Sequence, residues 1–151
     1  MNTEFIHKNS RNLRLIIIFS GWSCDRNMFR EIHRTGWDIL VCWGYDDFNF
    51  DKTILKEYKT IYLYAWSLGV FAAEKSLAGV EITKAFAING TPLPVSDSFG
   101  IPQKIYSSTT ETLSERNLYK FRIRMCGGIK KFEEKKNLFP TAYSIPVLRS
   151  N

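Results

Sequence analysis

Apolar residues fall into four short runs separated by polar, glycine-bearing stretches, a spacing that predicts strands alternating with helices. Leu13-Arg14-Leu15-Ile16-Ile17-Ile18-Phe19, closed by Ser20-Gly21, has the β-branched composition of a strand buried on both faces of a parallel sheet. Between Asp25 and Arg34, Met28, Phe29 and Ile32 recur on one helical face, and Asp25 is placed to cap it. Trp37 to Trp43 predicts a second strand, stopped by Gly44. A linker with Asp46, Asp47 and Asp51 leads to a short helix near Lys52 to Glu57. Thr60 to Ala65 predicts a third strand and Leu68 to Ala78 the helix after it. Thr83 to Asn89 predicts a fourth strand, ended by Gly90 and two prolines. The fold class is α/β, with a mostly parallel sheet.

After Pro94 the pattern changes. Residues 95–106 read as loop, with Gly100 and Pro102. Short helices are expected over Ser107 to Arg116, Leu118 to Met125 and Lys130 to Lys136. In the middle one, Leu118, Phe121, Ile123 and Met125 form the expected apolar face. This divides the chain into an α/β core (residues 1–94), a helical cap (95–140) and an irregular tail (141–151). The tail lacks the pattern of a closing strand and helix.

Composition narrows the class. With 151 residues, 44% apolar and 15% aromatic, the chain is long and apolar enough for one packed domain, not a disordered segment. No apolar run approaches the roughly 20 residues that span a bilayer, so no membrane partner is expected. Glu4, His7, Lys8 and Arg11 scatter where a signal peptide would be charged and then apolar. Cys24, Cys42 and Cys126 are odd in number and lack metal-ligand spacing. They fit reduced thiols in a cytoplasm, and neither metal nor cofactor is expected. Charge is uneven: residues 1–103 carry 11 Lys/Arg and 11 Asp/Glu, whereas residues 104–151 carry 10 and 4.

The densest chemistry lies in Tyr62-Leu63-Tyr64-Ala65-Trp66-Ser67-Leu68-Gly69-Val70-Phe71-Ala72-Ala73. An apolar run meets a serine flanked by small residues, and a small-residue helical pattern follows. This is the form of a nucleophile elbow, here A-x-S-x-G, which lifts a serine hydroxyl above the carboxyl edge of a sheet. Acyl transfer also needs an oxyanion hole. The Leu68 amide is one donor, and Phe19-Ser20-Gly21-Trp22-Ser23 sits where the second loop belongs, with Trp22 supplying its amide. The plain alternative makes Ser67 a helix cap and Trp22 a core residue. Both histidines, His7 and His33, precede Ser67 and are expected to be structural or solvent-facing. Asp97 is the best local acid, though a loop role fits it better.

Ile17-Ile18-Phe19-Ser20-Gly21-Trp22, Trp43-Gly44-Tyr45-Asp46-Asp47, Ala65-Trp66-Ser67-Leu68-Gly69-Val70 and Ala87-Ile88-Asn89-Gly90-Thr91-Pro92 together resemble the BioG-type pimeloyl-acyl-carrier-protein methyl ester esterases. The run Phe121 to Gly127 resembles part of that family's helical cap, and the likeness covers about residues 10–130. It implies an α/β-hydrolase fold and hydrolysis of the methyl ester of pimeloyl-carrier protein in biotin synthesis. It also implies Ser67 as nucleophile and the Trp22 and Leu68 amides as oxyanion donors. Family members run longer, with the triad Asp and His in their later part. The expectation is therefore a C-terminally truncated member lacking the last strands and helices. The alternative is a catalytically silent remnant that binds acyl carrier protein. The basic segment, a solvated helix surface in its plainest reading, would then dock that acidic partner through Lys120, Arg122, Arg124, Lys130 and Lys131. Nucleic acid is not expected, because no recognition motif accompanies the charge.

Overall fold

The computed structural model describes residues 1–140. The expected tail, 141–151, lies outside them. Five strands, β1 (Asn2–His7), β2 (Arg14–Phe19), β3 (Asp38–Trp43), β4 (Thr60–Trp66) and β5 (Lys84–Ile88), make one sheet. Its order is β1-β3-β2-β4-β5. The last four run parallel, as the apolar runs predict, and β1 adds antiparallel to the outer edge of β3. The sequence pattern missed β1. Asn2, Thr3 and Glu4 give it no apolar run, and backbone pairing with β3 organises it instead.

One face of the sheet is well covered. Leu15, Ile17 and Phe19 of β2, Leu40 and Cys42 of β3, and Leu63 and Ala65 of β4 pack under Val70, Ala72 and Ala73 of helix α1 (Leu68–Ser76). A 3-10 helix over Lys52–Glu57 adds Leu55. The opposite face, with Ile16, Ile18, Trp37, Ile39 and Val41, has less above it. The helix expected over Asp25 to Arg34 is only a 3-10 turn, Arg26–Phe29. Asp25 does cap it, accepting the Asn27 N–H at 2.8 Å. Residues 30–36 are exposed, so no continuous buried face propagates the turn into an α-helix. Every residue of β5 is exposed as well.

The cap contains α2 (Gln103–Glu111), α3 (Glu115–Met125) and α4 (Ile129–Lys135). α2 begins before the expected Ser107, because the Asp97 carboxylate accepts the Gln103 N–H at 3.0 Å. The apolar residues of α3 do not share one face. Leu118 packs with Leu113 and Trp22, whereas Ile123 and Met125 pack with Cys24, Phe132 and Phe139.

Candidate active site

β2 and β4 lie in parallel register with Phe19 opposite Ala65, so the two strands end level. From β2 the chain moves first to the neighbour on one side, β3, and then to the neighbour on the other, β4. Such a reversal opens a crevice beyond the carboxyl ends of the strands. Three segments meet there: Ser20 to Ser23, the turn at Ser67, and Asn89-Gly90-Thr91.

Ser67 has φ 55° and ψ −124°, a left-handed conformation that costs a non-glycine residue about 1–3 kcal/mol. Its surroundings hold it there. The Ser67 N–H donates to Ile88 O at 2.8 Å, and Ser67 O accepts the Val70 N–H at 3.0 Å. Its side chain makes no capping hydrogen bond to α1, which removes the plain helix-cap role. The flanking small residues answer to sterics. A Cβ on Gly69 would fall 2.6 Å from Ser20 O and nearer still to Phe19 O, both backbone atoms. A Cβ on Gly21 would lie 3.4 Å from Ser67 Cβ, so the Ser20–Ser23 loop touches the elbow.

Ser67, Leu68, Trp22, Asn89, Gly90 and Thr91 line a cavity of about 380 Å³, whose remaining walls include Phe99, Ile101, Tyr106 and Phe121. The structure therefore brings together the predicted nucleophile and both residues expected to supply oxyanion amides. Leu68 is the first residue of α1, where an amide has no acceptor within its own helix. The Trp22 indole meets Phe121 edge-on, ring centroids 5.2 Å apart, and so joins the cap to the core.

Tyr45 is the site residue whose part the sequence did not disclose. Its hydroxyl donates to Ser20 O at 2.7 Å and lies 3.1 Å from Cys42 O, anchoring the end of β2 from the end of β3. Its only signal was its place in Trp43-Gly44-Tyr45-Asp46-Asp47. Asn89, at φ 48°, and Gly90 contribute to the cavity in the same undisclosed way.

His7 and His33 pack edge-to-face at 5.0 Å, and neither lines the Ser67 cavity. Asp97 is an exposed loop residue that holds the start of α2. Burial pushes the Cys24 thiol up to about 12 despite the nearby Arg122, and raises Cys42 and Cys126 too, so none of the three offers a ready thiolate. No three His, Cys, Asp or Glu residues group as metal ligands among the described residues, and no described helix is long and apolar enough to cross a membrane.

The basic side chains separate into two kinds. Arg122, expected as a rim charge, turns inward. It donates to Ser23 Oγ at 3.4 Å, Ser23 O at 3.3 Å and Pro140 O at 3.4 Å, and its guanidinium stacks over Phe139. It ties α3 to the loop that carries Trp22. Lys120 and Arg124 are exposed and line a second cavity, and Lys130 and Lys131 are exposed on α4.

A mostly parallel sheet, a crevice at its carboxyl edge and a strained serine between strand and helix define an α/β-hydrolase-type protein. The structure of a lipase-esterase related protein from Clostridium acetobutylicum shares the fold, with TM-score 0.61 at 11% identity over 99% of this chain and 68% of that one. The chain belongs to the pimeloyl-ACP methyl esterase BioG family, whose profile matches residues 1–146. The crystal structure of BioG from Haemophilus influenzae matches with TM-score 0.85 and 38% identity, over 99% of this chain and 68% of that one. An uncharacterized Haemophilus influenzae protein is 40% identical over 141 residues, 93% of this chain and 64% of its own length. A malonyl-[acyl-carrier protein] O-methyltransferase from Bacteroides fragilis is 38% identical over 127 residues, 83% of this chain. The chain thus spans 64% and 26% of the lengths of these two relatives.

Proposed function

We propose that this chain carries the nucleophile and oxyanion half of a biotin-pathway esterase that cleaves the methyl ester of pimeloyl-acyl-carrier protein. The observation that carries the reading is Ser67, held in a left-handed conformation at the end of β4 on the wall of an apolar cavity. Membership of the BioG family supports the substrate class. Ser67 Oγ bonds to the ester carbonyl carbon while the Leu68 and Trp22 amides stabilise the oxyanion. The C–OCH3 bond breaks and methanol leaves with the serine proton. Water then cleaves the acyl–Ser67 ester, giving the carboxylate and restoring the hydroxyl. The carrier protein, acidic as its class is, approaches the cap from the side of Lys120, Arg124, Lys130 and Lys131. Cytoplasmic residence fits that partner. Arg122 contributes by fixing the cap to the oxyanion loop.

Proton transfer needs a base, and no imidazole of the described residues lines the cavity. That observation favours a second reading, a catalytically silent remnant that at most binds the acylated carrier and does not turn it over even when another polypeptide segment supplies a base. One experiment separates the two. Methyl-ester hydrolysis is measured for the chain alone and for the chain joined to the part of Haemophilus influenzae BioG that it does not span. The proposal expects hydrolysis by the joined protein, lost in Ser67→Ala by several orders of magnitude. Activity of the chain alone removes the second reading. A joined, folded protein no more active than its Ser67→Ala variant overturns the esterase reading.

A further inference from the structure

The Trp22 amide lies on the Gly21–Trp22 peptide, so its direction is set by whatever fixes that peptide and the one before it. The Gly21–Trp22 peptide is trans, which points the Trp22 N–H away from Gly21 O. Gly21 O is taken up within the loop, accepting the Cys24 N–H and the Ser20 hydroxyl, both at 3.3 Å. The preceding peptide is held harder. Ser20 is fully buried, and its N–H donates to Cys42 O at 2.9 Å, carrying the contact between β2 and β3 one residue past Phe19. Its carbonyl is confined from two sides. α1 presses on it at Gly69, where a Cβ would fall 2.6 Å away, and the Tyr45 hydroxyl donates to it at 2.7 Å. Beyond Trp22, buried Ser23 takes a left-handed φ of 61°, with the Arg122 guanidinium 3.4 Å from its hydroxyl and 3.3 Å from its carbonyl.

The distances rank these holds. An O–H···O bond of 2.7 Å is near its optimum, whereas 3.3–3.4 Å lies at the weak end of the range. The short bond also comes from the sheet side: Tyr45 follows β3 by two residues, is buried, and stacks its ring on Phe19 with centroids 6.1 Å apart. The long bonds come from the cap or from the loop itself. Removing the Tyr45 oxygen leaves Cys42 O its bond from the Ser20 N–H but takes from Ser20 O the bond that Tyr45 gives it. The carbonyl set loose is the one beside the donor's own peptide. We propose that Tyr45 is a positioning residue for acyl transfer: by holding Ser20 O, its hydroxyl aims the Trp22 amide at the oxyanion before a ligand arrives. Tyr45 does not line the Ser67 cavity, so it acts through the loop and not on the ligand. The inference rests on reading Trp22 as an oxyanion donor at a Ser67 ester site, and it adds the residue that preorganises that donor. A donor already aimed needs no reorganisation as charge develops, and one left free to turn loses part of its effect.

Tyr45→Phe tests this, because it deletes the oxygen and keeps the stacked ring. In the protein joined to the remaining part of Haemophilus influenzae BioG, kcat for methyl-ester hydrolysis should fall by about tenfold to a hundredfold, with KM within about twofold, since the lost interaction acts in the transition state. Ser20→Ala, a second variant, removes the weaker bond to Gly21 O and should lower kcat in the same direction by a smaller factor. Tyr58→Phe is the control. Its hydroxyl bonds Asp38 at the far end of the sheet, so it should lower Tm and leave kcat unchanged. A readout that needs no turnover is the backbone amide resonance of Trp22 in the 151-residue chain labelled with 15N-tryptophan. It is one of four such signals and is assigned by its loss in Trp22→Phe. It should move in Tyr45→Phe and stay in place in Tyr58→Phe. An unmoved Trp22 amide, a rise in KM in place of the fall in kcat, or equal losses of kcat from the two tyrosine variants overturns the proposal. A moved Trp22 amide without Ser67-dependent hydrolysis in the joined protein sinks the esterase reading and leaves the hold on Trp22 standing. Ser67-dependent hydrolysis that Tyr45→Phe leaves at the parent kcat sinks the positioning role alone.

Discussion

Ser67 sits in backbone territory that only glycine enters freely, at φ 55°. Ser67→Gly should therefore relax the turn and stabilise the fold by about 1 kcal/mol relative to Ser67→Ala, which keeps the strain. In a domain of this size that is a rise in Tm of about 2–4 °C, with reactivity lost in both variants. A Ser67→Gly protein no more stable than Ser67→Ala would show that the turn is unstrained. Asp38 gives a second residue-scale prediction. It is buried at the opposite end of the sheet, and burial alone would raise its pKa. Hydrogen bonds from the Tyr58 hydroxyl at 2.6 Å, Asn12 Nδ2 at 2.7 Å and the Asn9 N–H at 2.9 Å, with Lys8 nearby, hold it below the ordinary carboxylate value. A lowered folded pKa means stability fully present above the unfolded pKa, near 3.9, and lost as pH falls through the folded one. Asp38→Asn should cost about 1–3 kcal/mol at neutral pH and flatten the acid limb of a melt series. An unchanged acid limb would deny Asp38 that part. The elbow was legible in sequence because small residues around a serine carry a steric meaning. The Asp38 network was not, since its partners come from two segments distant in sequence, residues 8–12 and Tyr58.

At the scale of elements, the site depends on how closely α1 approaches β2. Gly69→Ala would drive a Cβ into the Phe19 and Ser20 carbonyls, and neither backbone can yield without moving the Ser20–Ser23 loop. We expect a loss of about 1–3 kcal/mol or more in urea unfolding, together with loss of reactivity at Ser67. A neutral Gly69→Ala would mean that the helix does not press on β2. β2 and β3 were readable because burial on both faces makes their apolar runs continuous, and β4 and β5 because short apolar runs stand between polar, glycine-bearing stretches. β1 was not, for an edge strand needs pairing more than burial. The segment after Asp25 was over-read as a helix: three apolar positions at helical spacing do not sustain one when Arg30, Glu31, His33 and Arg34 all face solvent. Arg122 was misread for a related reason. Charge alone does not reveal that a guanidinium will spend its donors on Ser23 and Pro140.

The molecule leaves one side of its sheet exposed around β5. Phe86 and Ile88 of β5 are 41% and 43% exposed, and Ile88 borders a groove of about 490 Å³ with Phe29, Ile32 and Tyr64. An exposed apolar edge strand is a template for pairing. The chain should therefore associate with rising concentration in sedimentation velocity, and Phe86→Lys with Ile88→Lys should return it toward a monomer. A monodisperse wild-type monomer throughout would remove this expectation. At this scale the sequence disclosed the architecture and the strained turn at Ser67, because periodicity and the elbow are local. It did not disclose the two neighbouring cavities, which exist only once α2 and α3 fold over the crevice. The central claim is that Ser67 is a nucleophile set for acyl transfer. Its most direct measurement is mass-spectrometric mapping of fluorophosphonate labelling in the protein joined to the remaining part of Haemophilus influenzae BioG. The account predicts a single adduct on Ser67, far faster than in the isolated chain. Labelling elsewhere, or none above the Ser67→Ala background, would contradict it.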